Sequence, residues 1–322
     1  MKVLVAGGAG YIGSVACEAL LRAGHGVVAF DSLVQGHRAA LPPGADFVKG
    51  DLGDLAAVRA AFASHRPAAV MHFAGHVRSG ESMKDPFSYL DENVRGGLNL
   101  MRAAVEGGVR RFILSSTSHV FSRPARIPIL ETEAPAPATP YGEAKLYLER
   151  ALAWLEKTHG LRSTPLRYFN AAGATEERGE HHDPETHLIP LVLQVAAGRR
   201  PAISLYGTDY DTPDGTCIRD YVHVSDLADA HVRALAPCGP VYHLGNGGGF
   251  SVKEILESAR RVTGRTIAVE VAPRRAGDPP RLVADSSLIR KDLGWVPRIP
   301  QIDRIIGSAW TWMQAHPRGY EA

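Results

Sequence analysis

Tyr141-Gly-Glu-Ala-Lys145 places a phenol and an ammonium four residues apart just after Pro140, so one turn apart on a single helix face. A fixed cation beside a phenol favours the phenolate and draws its pKa from about 10 towards neutrality, which makes the tyrosine a base at ordinary pH. The same spacing also describes a solvated helix face. Chemical meaning comes from what precedes it, an apolar run ending in Ser115-Ser116-Thr117. A second constellation opens the chain. Val3 to Ala6 reads as a buried strand that runs into Gly7, Gly10 and Gly13. Glycines so placed make a tight turn, let a pyrophosphate approach bare backbone, and let the next helix, about Tyr11 to Ala23, pack closely with its amides aimed at phosphate. Gly24 to Asp31 reads as helix stop, second strand and terminal acid. A carboxylate there bonds ribose hydroxyls and repels a 2′-phosphate, so NAD is expected rather than NADP.

The elements that must hold these groups follow from alternation. Val3–Ala6, Val27–Phe30, Phe47–Val48, Ala69–Phe73, Phe112–Leu114 and Thr164–Tyr168 read as strands, while Leu55–Ser64, Leu90–Glu106 and Tyr141–Thr158 carry apolar residues at helical spacing. This predicts an α/β fold: a Rossmann-type doubly wound parallel sheet whose ligands sit at the carboxyl ends of the strands. Those ends carry Gly7, Asp31, Asp51, Phe73-Ala74-Gly75 and Ser115-Ser116-Thr117. Asp51 suits an adenine amine or a helix N-cap equally. After Asn170 the texture changes, and a second, smaller α/β substrate domain is expected. The division reads as residues 1–170, with a return segment at about 220–247, against 171–322. In the later part, helices are expected from Pro190 to Ala197, Asp226 to Leu235, Val252 to Thr263 and Asp303 to His316. Strands are expected at Ile203–Tyr206, Val241–Leu244 and Ile267–Val271. The stretch Gly207–Tyr221 reads as a functional loop too polar and turn-rich for a core element.

Composition narrows the class. The 322 residues are 45% hydrophobic, with 36 basic against 34 acidic residues for a net charge of +2. No basic run exceeds a doublet, so neither nucleic acid nor a membrane is an expected partner. Cys17, Cys217 and Cys238 lack metal-type spacing and read as buried thiols of a reducing compartment, with the cytoplasm the expected location. His181-His182 sit in an acidic loop without a third spaced ligand, so no metal is expected.

Several segments together resemble the extended short-chain dehydrogenase/reductases and, within them, the UDP-sugar 4-epimerases, along essentially the whole chain. They are Val5–Ser14, His72–Gly75, Gly80–Ser82, Asn93-Val94, Tyr141–Lys145, Leu166–Asn170, Asp214-Gly215, Arg219–Val224, Asp226–Asp229 and Arg274–Asp278. The resemblance implies reversible inversion at C4 of UDP-glucose and UDP-galactose through a transient 4-keto sugar with tightly bound NAD. Other UDP-sugars, N-acetylated, uronate or pentose, are the alternative, and a non-catalytic NAD-binding regulator is a further one. It makes Tyr141 the base at the C4 hydroxyl, Lys145 the group that holds the nicotinamide ribose and tunes Tyr141, and Thr117 a second partner of the C4 oxygen. Cofactor contacts are implied for Gly7, Gly10, Tyr11, Ile12, Gly13, Asp31, Ser32, Asp51, Leu52, Phe73, Ala74, Gly75, Asn93, Ser115, Tyr141, Lys145 and Tyr168. For Asn93 a helix cap is the other reading. Asn170, Arg219 and Arg275 suit pyrophosphate oxygens, though the arginines also suit surface ion pairs. Asp278 is assigned to the uridine ribose, Leu188 and Tyr206 to the uracil pocket, and Tyr221 to the substrate. His187 stands where the family has an asparagine contacting diphosphate, and either bonds phosphate or faces solvent. A homodimer through two helices of each subunit, about Leu90–Glu106 and Tyr141–Thr158, is implied as well.

Three departures qualify this. His119 and Phe121 are unusual after the fifth strand, and Ser118 and His119 stand where an elimination of water would need a carboxylate pair. Val77 replaces a cofactor-contacting lysine, with Arg78 one place on, so weaker NAD retention is expected. Leu282 falls at a gate that is bulky in some relatives and small in others.

Overall fold

Alternating apolar and helical runs become, in a computed structural model describing residues 1–237, 239–275 and 278–321, a parallel sheet wound on both faces. In chain order come β1 (Lys2–Ala6), α1 (Tyr11–Arg22), β2 (Gly26–Asp31), β3 (Asp46–Lys49), α2 (Leu55–His65), β4 (Ala69–His72), α3 (Ser79–Ser82), α4 (Pro86–Glu106), β5 (Arg111–Thr117), α5 (Pro140–His159) and β6 (Arg162–Tyr168). Next are β7 (Asn170–Ala172), α6 (Leu188–Ala196), β8 (Ile203–Tyr206), β9 (Ile218–Arg219), β10 (Tyr221–His223), α7 (Val224–Arg233) and β11 (Tyr242–Leu244). The chain ends with β12 (Phe250–Ser251), α8 (Val252–Thr263), β13 (Val269–Ala272), β14 (Arg281–Leu282), α9 (Ser287–Leu293) and α10 (Ile302–Ala315).

The main sheet has seven strands in the order β11-β6-β5-β4-β1-β2-β3, every pair parallel. Successive side chains of a strand point to opposite faces, so a strand covered on both sides must be apolar throughout. Val3 and Val5 of β1 pack with Cys17 and Leu20 of α1 and Leu227 and Ala230 of α7, whereas Leu4 and Ala6 pack with Val58, Leu100 and Leu148 of α2, α4 and α5. Burial of about 25 cal/mol per Å² over these two layers is the main force holding the site's frame. A separate core joins Ile189, Val192 and Leu193 of α6 to Ile255 of α8 and to Ile305 and Ile306 of α10. Asp226 ties the C-terminal part down: its carboxylate accepts from the amides of Arg298 (3.0 Å) and Ile299 (3.0 Å), and its carbonyl from Trp295 Nε1 (2.9 Å).

The structure moves several expected boundaries. Helix α6 begins at Leu188 rather than Pro190; a proline in the first turn forfeits no intrahelical bond, because those amides have no partner there anyway. Helix α7 begins at Val224 rather than Asp226, and the strand expected at Ile267 begins at Val269. The end of Gly207–Tyr221 is no loop: Ile218–Arg219 pairs with β12 and β14, and Asp220 is fully buried, its carboxylate accepting from the amides of Asn246, Gly247 and Ala284. Cys17 and Cys217 are buried and unbridged, with burial pushing Cys17 up to about 12. Cys238 lies outside the described residues.

Candidate active site

A cleft opens at the carboxyl ends of β1, β2, β4, β5 and β6, where the topology places ligands in such sheets. Its nucleotide end is made of backbone. Gly7 has φ +79°, and an added Cβ would lie 2.5 Å from the amide nitrogen of Ala74; one on Gly13 would lie 2.0 Å from the carbonyl oxygen of Gly7. No side chain caps the start of α1, so its first amides, which face the cleft, are left for an anion. Asp31 closes β2 with its carboxylate held by the amides of Ala9 (2.9 Å) and Leu33 (2.8 Å). A dinucleotide of the NAD type fits this arrangement: a bare backbone cradle for pyrophosphate, with a fixed carboxylate at the end of the neighbouring strand.

At the other end of the cleft, where β5 closes, Thr117 Oγ1 accepts from the amide of His119 (3.1 Å) and stands beside the phenol of Tyr141. Helix α5 brings Tyr141 there because Thr139 caps it, accepting from the amide of Gly142 (3.2 Å), and Pro140 starts it. Lys145 lies one turn on, 2% exposed, its Nζ donating to the carbonyl of Ser115 (3.0 Å). Beneath it, buried Glu149 pairs with Arg167 (2.6 Å) and accepts from the hydroxyl of Ser116. The hydroxyls of Ser115 and Tyr168 share a short hydrogen bond.

The electrostatics correct one expectation. Burial pushes Tyr141 up to about 12, opposed by the Thr117 hydrogen bond, and burial pushes Lys145 down to about 8, opposed by Glu149. Burial, not Lys145, sets the direction of the shift at Tyr141, and the ammonium of Lys145 is turned onto the carbonyl of Ser115.

Every residue assigned to the cofactor lines this cleft, including Ser32, Leu52 and Tyr168, as do Thr117, Asn170, His187, Leu188 and Tyr221 from the substrate set. Asp51 does not cap a helix; it accepts from the amide of Gly53 (2.7 Å), and Asp54 caps α2. Asn93 is likewise no cap. It sits inside α4 and holds the 75–76 turn, accepting from the amide of His76 (2.7 Å) and donating to its carbonyl (3.0 Å). Val77 lines the cleft, but Arg78 is turned away, donating to the carbonyl of Pro184 (2.9 Å) and meeting Glu81 (3.6 Å). The missing positive charge is therefore not restored from the next position.

Tyr206, Arg219, Arg275, Asp278 and Leu282 are not on the cleft wall. Arg219 reaches Asp278 at 2.7 Å and the carbonyl of Pro279 at 2.9 Å, the guanidinium of Arg275 lies 4.0 Å above the ring of Tyr206, and buried Leu282 is in register with Arg219. His119 joins the two groups: it lines the cleft, its ring 5.7 Å from that of Tyr141, and burial beside Arg219 pushes it down to about 4. His187 neither faces solvent alone nor offers a free imidazole. Its Nδ1 lies 2.8 Å from Glu180 and 2.9 Å from Glu185, and these carboxylates raise its pKa. The ground for expecting no metal also fails, since Glu180, His182, Glu185 and His187 gather with ligand-type atoms within 4.8 Å of one another.

With this geometry in view, the chain matches the model of the NAD dependent epimerase/dehydratase family over residues 3–245. It is 47% identical to the UDP-glucose 4-epimerase of Streptococcus mutans, over 100% of this chain and 99% of the relative. Among solved structures it is similar to UDP-glucose 4-epimerase from Brucella ovis in complex with NAD, at 45% identity, TM-score 0.92 and coverage of 96% and 97%. It is also similar to the Bifidobacterium longum enzyme in complex with NAD+ and UDP, at 34% identity, TM-score 0.95 and coverage of 99% and 100%.

Proposed function

Because the chain belongs to the NAD dependent epimerase/dehydratase family, we propose that its cleft inverts C4 of UDP-glucose and UDP-galactose reversibly, using bound NAD. The observation that carries this reading is the convergence of Thr117, Tyr141 and Lys145 on one wall of a cleft whose other end is a glycine-lined, uncapped helix start. NAD, when bound, supplies a hydride acceptor that can return what it takes, so no net redox occurs.

The protein's own part is to hold protons and orient the sugar. Tyr141 takes the C4 hydroxyl proton and later returns it to the same oxygen once the sugar has turned, while the Thr117 hydroxyl fixes the C4 oxygen against the phenol. Lys145 supplies the cation that the buried phenol needs, and Ser115 and Asn93 fix the walls around it. The sugar must turn between the two half-reactions, so affinity has to come from contacts remote from C4. We assign these to the UDP end, with Asn170, Arg219 and Arg275 on the diphosphate, Asp278 on the uridine ribose, Leu188, Tyr206 and Tyr221 at the uridine, and Leu282 as the gate beside the sugar. On this reading residues 1–170, with the return at about 220–247, serve NAD and 171–322 serve the UDP-sugar.

A homodimer is part of the proposal. Leu90 and Leu98 of α4 and Tyr147 and Trp154 of α5 are exposed apolar residues on two neighbouring helices, which supports pairing through that face. No helix among the described residues is long and apolar enough to cross a membrane, and free Cys17 and Cys217 suit the cytoplasm we assign. The test is to supply UDP-galactose and follow UDP-glucose with a coupled dehydrogenase. Failure to interconvert these or any other UDP-hexose, in protein carrying NAD, would exclude the reading.

A further inference from the structure

Between β7 and α6 the chain folds a loop so that four side chains meet. His187 Nδ1 lies 2.8 Å from Glu180 Oε1 and 2.9 Å from Glu185 Oε1, and His182 Nδ1 lies 3.3 Å from Glu180 Oε1 and 3.7 Å from Glu185 Oε2. The carboxylates are withdrawn from water, with side chains 9% and 4% exposed. Carboxylates are seldom buried to this degree unless paired or bound to a metal. His182 Nδ1 is itself buried and makes no hydrogen bond among the described residues, although two carboxylates lie within 4 Å of it. His187 Nδ1 bonds Glu185 Oε1, which also accepts from the amides of Thr186 (2.7 Å) and His187 (2.8 Å), so it is the unsatisfied His182 nitrogen beside two buried carboxylates that points to a shared ligand.

We propose that Glu180, His182, Glu185 and His187 bind one divalent transition metal ion of the zinc class. Two imidazoles and two carboxylates form a mixed nitrogen and oxygen set, which suits zinc, cobalt or manganese; calcium and magnesium take oxygen ligands. For tetrahedral zinc with bonds of about 2.0–2.1 Å, neighbouring donor atoms stand about 3.4 Å apart. The two imidazole nitrogens stand 2.8 and 3.3 Å from one Glu180 oxygen, and the ligand-type atoms of all four residues lie within 4.8 Å of one another, so small side-chain shifts would bring them to that spacing. Two carboxylates balance the ion's charge, and each imidazole coordinates through Nδ1 as the neutral base, releasing to solvent any proton it carried. With four protein ligands the site is closed and therefore structural. Glu180, His182 and His187 also line the cofactor cleft, and Arg78 holds the same loop through the carbonyl of Pro184 (2.9 Å). The ion would thus fix one wall of the cleft that α1 faces.

The test uses the full-length enzyme with its bound nucleotide, treated with a chelator, desalted, and titrated with Zn²⁺ alone and with Co²⁺ alone. We expect one equivalent of zinc per chain retained through gel filtration, proton release on binding, and the visible absorption of four-coordinate cobalt, abolished by adding zinc. His182→Gln and Glu185→Gln should each weaken zinc binding at least about tenfold. Absence of retained zinc in the unmodified enzyme, or equal retention by both variants, overturns the site. None of these readouts depends on epimerase turnover, so they stand whether or not the sugar reading does.

Discussion

At the nucleotide end of the cleft the protein offers main chain, and at the neighbouring group of residues that we assign to UDP it offers side chains. Gly7, Gly13 and Gly75 occupy places where a Cβ would fall 2.5, 2.0 and 2.6 Å from neighbouring atoms, so no other residue fits without moving the backbone of Ala74 or Gly7 or the side chain of Asn93. Gly75 also has φ +130°, a conformation that side chains resist. Beside the cleft, the residues we assign to UDP, Arg219, Asp278, Arg275 and Tyr206, instead satisfy one another: an ion pair at 2.7 Å and a guanidinium stacked 4.0 Å above a phenol. One end is fixed in advance; the other must exchange its own pairings for those of a ligand. A resident cofactor and a substrate that comes and goes call for that difference.

The largest test removes the group standing between the two ends. Tyr141→Phe deletes the proton acceptor and leaves both binding ends intact, so kcat should fall roughly 10²- to 10⁴-fold while UDP affinity, measured by calorimetry, stays within about twofold. A comparable loss of UDP affinity would mean that Tyr141 serves binding instead. At the UDP end, Arg219→Ala removes a charged donor and leaves Asp278 without its 2.7 Å partner. Loss of a charge-assisted hydrogen bond of about 1.5–3 kcal/mol corresponds to a KM raised roughly 10- to 100-fold, with kcat changed much less. A fall confined to kcat would erase the distinction between the ends.

Lys145 gives the comparison a pH signature. Burial holds its ammonium at about 8, so it is charged below that pH and neutral above it. The phenol needs the charged form beside it, so kcat/KM should decline above about pH 8, approaching tenfold per unit. A profile flat to about pH 9.5 would show that Lys145 stays charged in the working enzyme. A smaller effect is expected at the fixed end. Val77 leaves the cleft without a cation there, and Arg78 is held by Pro184, so chromatographed protein should carry less than full NAD. Val77→Lys should raise retention by up to about tenfold, the worth of one exposed to half-buried ion contact; full occupancy in the unmodified chain would remove the premise.

The same contrast governs what could be read from the residues alone. The doubly wound parallel sheet and the residues that line the cleft were legible because backbone demands leave residue-type traces: glycines at fixed offsets, an acid after β2, a phenol and an ammonium one turn apart. The three-stranded sheet of β9, β12 and β14 left none, each strand being two residues long and too short for any period to show. The convergence of Glu180, His182, Glu185 and His187 was equally hidden, since their offsets of two, three and two match no helix or strand and only the loop's path brings them together. Asp51 and Asn93 were misread as possible caps because both residue types suit caps and only the structure fixes where α2 and α4 start. Burial was also invisible, and it pushes Tyr141 up where a neighbouring cation was expected to draw it down.

The smallest effect concerns how the fixed end delivers a movable proton. Thr139 Oγ1 accepts from the amide of Gly142 at 3.2 Å, capping the helix that presents Tyr141 and Lys145. Thr139→Ala should cost about 0.5–2 kcal/mol, or roughly 2 °C in the melting temperature of a chain this size. Pro140 still sets the first φ of α5 and Ala144 and Leu148 remain buried against the sheet side, so the helix axis has no reason to move. Turnover should therefore change less than about threefold, far below the Tyr141 effect, because the phenol's position is set by packing rather than by the cap. A loss of turnover larger than the stability change would place the cap itself in the proton path, through the 3.4 Å contact between Thr139 and Ser79, and would extend the chemical end of the cleft one residue beyond Tyr141.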